Sequence, residues 1–166
     1  MKNIYLIGFM GAGKSTVGKI LADKLGATFK DMDAIIEASE GTSINEIFTN
    51  IGESYFRNLE TVCLRDLSDA SSLVVSTGGG IIERLENRKL LNKGMTVFLS
   101  VEWNLILERI AATNDRPLAS RDDEWQSTYQ LFCQRLPLYQ DADCTIECLA
   151  KPPELIANEI IQTLKI

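Results

Sequence analysis

Eight residues near the amino terminus, Gly8-Phe9-Met10-Gly11-Ala12-Gly13-Lys14-Ser15, fit the pattern Gly-x4-Gly-Lys-[Ser/Thr] of a phosphate-binding loop. Glycines let the backbone curl so that successive N–H groups point at phosphate oxygens with no Cβ in the way. The helix that follows aims its positive end at the same point. Lys14 adds a mobile positive charge for the outer phosphates, and the Ser15 hydroxyl is placed to ligate Mg²⁺. The bland alternative is a glycine-rich turn. A chance match in a chain of this size is on the order of one in a hundred, so the loop predicts nucleotide binding.

Other candidates lie where strands end. Asp31 and Asp33 close the second predicted strand, at the carboxyl edge where open α/β sheets bind ligands. They are expected to point to opposite faces and so to serve different roles, one toward a metal-bound water and one toward a substrate hydroxyl. Alternatively, Asp33 is a plain N-cap of the helix that follows. Gly78, Gly79 and Gly80 follow the third strand and allow close backbone approach to a ligand, or form a flexible turn. Arg57, Arg116 and Arg135 flank these loops, and a planar guanidinium fork suits a carboxylate or a phosphate. Trp103 and Trp125 fit apolar helix faces and are read as packing.

Composition narrows the chemistry further. Histidine is absent, which excludes Ser-His-Asp and Cys-His nucleophiles, His-ligated metals and imidazole pH switches. Seventeen Lys plus Arg against 23 Asp plus Glu leave a net charge of −6, which argues against nucleic-acid or anionic-membrane partners. Any anion must therefore be gripped locally, by a few placed cations. Cys63, Cys133, Cys144 and Cys148 form no Cys-x-x-Cys pair, and Cys144 and Cys148 read as small hydrophobes on one strand face. With no apolar run near the ~20 residues of a membrane helix and no signal peptide, a cytoplasmic protein is expected.

The elements that must hold these residues alternate between strand and helix patterns, the signature of a parallel sheet covered by helices. Strands are predicted at Ile4 to Gly8, Ala27 to Asp31, Leu73 to Ser76, Thr96 to Leu99 and Thr145 to Leu149. Helices are predicted over Lys14 to Leu25, after the Ser43–Glu46 capping box, over Glu53 to Ala70, before Gly94, over Glu102 to Ala112, over Trp125 to Leu136, and after Pro152-Pro153. Residues 113–124 are polar and aperiodic and read as an excursion from the core. One domain over residues 1–166 is expected.

Taken together, the phosphate loop, Asp31-x-Asp33, Glu53 through Phe56-Arg57 to Glu60, Thr77-Gly78-Gly79-Gly80, Arg116-Pro117-Leu118 and Arg135-x-Pro137-Leu138-Tyr139 resemble the shikimate kinase family in order and spacing. The resemblance covers essentially the whole chain. It implies an α/β nucleoside-monophosphate-kinase-like fold, three layers with a five-stranded parallel sheet in order 2-3-1-4-5, a lid at about 113–124 and a substrate-binding region at about 33–60. It further implies ATP-dependent phosphorylation of shikimate by a monomer. Asp33 would contact the acceptor hydroxyls, Arg57 and Arg135 the acceptor carboxylate, and Gly78, Gly79 and Gly80 would close the pocket. Gly11, Ala12, Gly13, Lys14, Ser15 and Thr16 would hold the nucleotide, with Arg109 beside the adenine and Lys151 to Pro153 at its far side. Ser15 and, through water, Asp31 would hold Mg²⁺, while Lys14 and Arg116 would stabilise the transferring phosphoryl group. The chain departs from the family's usual residues at Met32 and Leu136. The rival readings are another small-molecule kinase of the same fold, such as one acting on gluconate, and a non-catalytic nucleotide-binding relative.

Overall fold

The computed structural model describes residues 1–112 and 122–166, with side chains from 124 onward in the second part. Five strands, β1 (Ile4–Ile7), β2 (Thr28–Asp31), β3 (Leu73–Ser76), β4 (Met95–Ser100) and β5 (Cys144–Glu147), pair in parallel in the order β2-β3-β1-β4-β5. Strands β1 and β3 are buried at every residue, as the continuous apolar runs Ile-Tyr-Leu-Ile and Leu-Val-Val-Ser require. Edge strand β2 alternates between exposed and half-buried residues.

The helices follow their sequence signals. Helix α1 (Lys14–Leu25) buries Val17 and Leu21 and stops at Gly26, whose φ of 60° suits a glycine cap. Helix α2 (Met32–Glu40) is capped by the Asp31 carboxylate, and α3 (Ile44–Asn50) by the Ser43–Glu46 box. Then come α4 (Glu53–Ser68), α5 (Leu85–Leu91), α6 (Trp103–Ala112), α7 (Asp122–Tyr139) and α8 (Pro153–Leu164), the last with proline in its first turn. The segment 113–121, and with it Arg116, lies outside the described residues.

Most element ends lie within a residue or two of expectation, and two shifts have a clear physical cause. Helix α7 starts at Asp122 and runs through Pro137 to Tyr139 rather than ending near Leu136. A proline in the last turn forfeits one backbone bond. That loss is offset because Tyr139 stacks on Phe98 (centroids 5.2 Å apart) and donates its hydroxyl to the Gly79 carbonyl at 2.5 Å. Strand β5 spans Cys144–Glu147 rather than Thr145 to Leu149, since it pairs with Val97–Ser100 and the chain turns at Leu149, where φ is 27°. Cys144 and Cys148 are buried, as read.

Strand order decides what meets. Because β2, β3 and β1 are neighbours, the segments leaving their carboxyl ends lie side by side. Those segments are Asp31 to Asp33, the three glycines and the phosphate loop.

Candidate active site

The loop after β1 is shaped by its glycines. Gly13, at φ 89°, caps α1 in a left-handed conformation, and a Cβ on Gly8 would meet the Leu99 carbonyl oxygen at 2.9 Å. Lys14 is buried, and its Nζ donates to the carbonyls of Gly8 at 2.8 Å and Phe9 at 2.9 Å. The expected mobile cation is thus tethered to its own loop. Burial lowers its pKa to about 8, while Asp33 and Asp31 pull it back upward and Arg135 adds to the depression.

The two aspartates do not diverge as expected. The chain enters α2 at Met32, so strand alternation ends before Asp33, and both carboxylates approach the phosphate loop. Asp31, not Asp33, is the cap: its Oδ1 accepts from the amides of Asp33 and Ala34, at 3.1 and 3.3 Å. Its Oδ2 accepts from Ser15 Oγ at 2.5 Å, and Ser15 Oγ lies 3.1 Å from Ser76 Oγ. Asp33 stands in the first turn of α2 with Oδ1 buried and no hydrogen-bond partner among the described residues. Desolvation raises its pKa, reinforced by Asp31 and opposed by Lys14. Met32, the family departure, is fully buried and turned into the core, and Leu136 is half-buried against it.

The set of Ser15, Asp31 and Ser76 oxygens is the hard-donor chemistry that Mg²⁺ takes. Among the described residues no group of three or more His, Cys, Asp or Glu side chains could hold a metal alone. A cation here would therefore complete its shell with phosphate oxygens and water.

Three connected clefts run along the sheet edge. One of about 530 Å³ lies between Gly11, Thr16, Arg109, Ile110, Lys151 and Pro153, and there Arg109 Nη1 donates to the Gly11 carbonyl at 2.9 Å. A second, about 330 Å³, is floored by Gly13, Lys14, Ser15, Thr16, Asp33 and Ser76. The third, about 440 Å³, is lined by Asp33, Phe48, Phe56, Arg57, Gly78–Gly80 and Arg135. Met10 borders all three.

In the third cleft the guanidinium groups are held by carboxylates. Arg57 pairs with Glu60 at 2.6 Å and Glu53 at 3.1 Å, and Glu83 lies 3.7 Å away. Arg135 donates Nε and Nη2 to one oxygen of Glu83, at 2.8 and 2.7 Å, and lies 5.8 Å over the Phe9 ring. Glu60 is fully buried, which raises its pKa against the pull of Arg57. A Cβ on Gly80 would strike the Arg57 guanidinium and one on Gly78 the Glu60 carboxylate, so these two glycines admit the ion pair rather than merely bend the chain. Sequence reasoning assigned no role to Glu60, although its i, i+3 spacing from Arg57 signalled a helical pair. Ser76 and Glu83 carried no signal, being 61 residues from Ser15 and 52 from Arg135.

A phosphate loop on a parallel sheet of this order, with an arginine-lined pocket opening onto it, defines a phosphate-loop kinase. The shikimate kinase family model matches residues 10–165, and the chain belongs to that family. It is similar to the shikimate kinase of Sulfurihydrogenibium sp. (strain YO3AOP1), with 46% identity over 166 residues and 99% of each sequence covered. A shikimate kinase from Acinetobacter baumannii, solved in complex with shikimate, superposes with a TM-score of 0.92 at 40% identity, covering 99% of this chain and 93% of that one. A gluconokinase from Sinorhizobium meliloti 1021 matches with a TM-score of 0.61 at 22% identity, covering 99% of this chain and 91% of that one, a likeness that shows the fold alone. No helix among the described residues is long and apolar enough to cross a membrane.

Proposed function

We propose that this kinase moves the terminal phosphoryl group of ATP to a hydroxyl of shikimate, yielding shikimate 3-phosphate. The observation that carries the reading is the convergence of Arg57 and Arg135 in a pocket whose inner wall, Asp33 and Gly79, is shared with the phosphate-loop cleft. Two guanidinium groups on an acidic protein suit a small carboxylate-bearing acceptor.

ATP takes the first two clefts, its phosphates against the amides of Gly11 to Thr16 and its base beside Arg109 and Lys151. Lys14 exchanges its loop carbonyls for phosphate oxygens and neutralises charge in the transition state. Asp33 aligns the acceptor hydroxyl and accepts its proton as transfer completes; its raised pKa and unpartnered oxygen fit that duty. A loose transition state asks the protein mainly for position and charge, so the lack of histidine is no obstacle. Ser15 and Asp31 would hold Mg²⁺, which supplies charge neutralisation and alignment of the phosphates.

A coupled ADP-release assay with shikimate, gluconate and nucleoside monophosphates as acceptors tests the reading. Turnover is expected with shikimate alone, and equal or faster turnover with another acceptor would overturn it.

A further inference from the structure

The two arginines that line the acceptor pocket already carry a carboxylate. Glu83 spans both guanidinium groups, taking the Nε and Nη2 of Arg135 on one oxygen and approaching Arg57 Nε with the other. That Nε–Nη2 edge is the fork a planar carboxylate grips best. Arg57 has its own Nε and Nη2 on Glu53, at 3.3 and 3.1 Å, and its Nη1 on Glu60. An acceptor carboxylate that reaches this pair must therefore compete with one already in place.

The three glutamates differ in what their release would cost. Glu60 has a side chain only 1% exposed, so losing Arg57 would strand a buried charge. Glu53 is exposed and, of the two arginines, pairs with Arg57, as an i, i+4 partner within α4. Glu83 is 34% exposed, belongs to the short segment between Gly80 and α5, and is the one that spans both arginines. Water can receive its carboxylate when another anion takes its position. Asp33, Glu53 and Glu60 line the pocket itself. A further negative charge enters more readily if one of these carboxylates withdraws.

Building on the shikimate reading above, we propose that Glu83 is a displaceable internal carboxylate that competes with the acceptor's carboxylate for Arg57 and Arg135 and so sets how tightly the acceptor is held. A carboxylate-bearing acceptor replaces the ion pairs it breaks.

Steady-state kinetics of E83Q and E83D test this, with calorimetry of an ATP analogue as the check on folding. Losing one partly exposed competing charge should lower the KM for shikimate about threefold or more in E83Q. Competitive inhibition by acetate should tighten by a similar factor. E83D, one methylene too short to span both arginines, should fall between E83Q and the unaltered chain; it decides the matter if E83Q fails to bind nucleotide. A KM that rises or stays level in the nucleotide-binding variants overturns the proposal, because a carboxylate that only steadied Arg135 would loosen the acceptor when removed. An unaltered chain that phosphorylates no shikimate would instead refute the functional reading itself.

Discussion

Lys14 carries the most exposed consequence of this geometry. Its folded pKa of about 8 lies below the ordinary lysine value of 10.5, because burial disfavours the ammonium. The unfolded chain therefore binds more protons between those values, and the destabilisation caused by the buried ammonium is present below about pH 8 and relieved as pH rises through that window. Phosphate binding runs the other way, since it needs the proton. Calorimetry with a non-hydrolysable ATP analogue should show affinity falling as pH rises past about 8, with no such fall in Lys14→Met. That variant should also lose about a hundredfold or more in kcat, the ~3 kcal/mol typical of a missing transition-state charge partner. The two arginines should differ in a separate way. Arg57→Ala and Arg135→Ala should each weaken shikimate binding by ~2–5 kcal/mol with ATP binding kept. Only Arg57→Ala strands the fully buried Glu60, so thermal melts should show the larger loss of stability there, ~3 kcal/mol. Equal melting temperatures for the two variants would contradict the buried-pair account.

Asp31 links a helix end to the reaction. One oxygen caps α2 through the Asp33 and Ala34 amides, and the other meets Ser15. Asp31→Ala should lose the cap, at ~1 kcal/mol, and show it in the melting temperature. Asp31→Asn retains a capping oxygen and should stay near the parent in stability, yet need far more Mg²⁺ to reach half-maximal rate. If both variants melted alike and kept the parent's metal dependence, the dual role would be wrong. The same element explains why Asp33 faces the phosphate loop: the cap turns the chain from strand to helix between the two carboxylates.

Across the molecule, the phosphate loop is positioned by how closely α1 lies on the sheet. A Cβ on Gly18 would meet the Phe29 ring of β2 at 2.6 Å and Leu6 of β1 at 3.2 Å. Gly18→Ala must therefore lift the helix or displace the ring. Overpacking of this kind costs ~1–3 kcal/mol. In a domain of this size that corresponds to roughly 2–4 °C in Tm per kcal/mol. Because the loop enters α1 at Lys14, the lifted helix should also raise the KM for ATP more than that for shikimate. A variant with parent stability and parent ATP affinity would show that the sheet sets the loop without this contact.

Residues near in sequence announced most of the frame. The loop spacing, the Ser43–Glu46 box, the glycine stop after Leu25 and the apolar runs of β1 and β3 are local signals, because backbone geometry and helical or strand periodicity act over a few residues. The family resemblance added the strand order and the pairing of Asp33, Arg57 and Arg135 with an acceptor. Tertiary structure alone decided that α7 continues through Pro137, since Phe98 and Gly79, which hold that turn, are distant in the chain. It also decided that Lys14 is tethered, that Asp31 and Asp33 share a side, and that Ser76 meets Ser15. The place of Glu83 on both arginines likewise depends on β3 lying between β2 and β1. That juxtaposition follows from the order in which strands pair, a long-range outcome of burying the whole sheet that no local pattern of residues encodes.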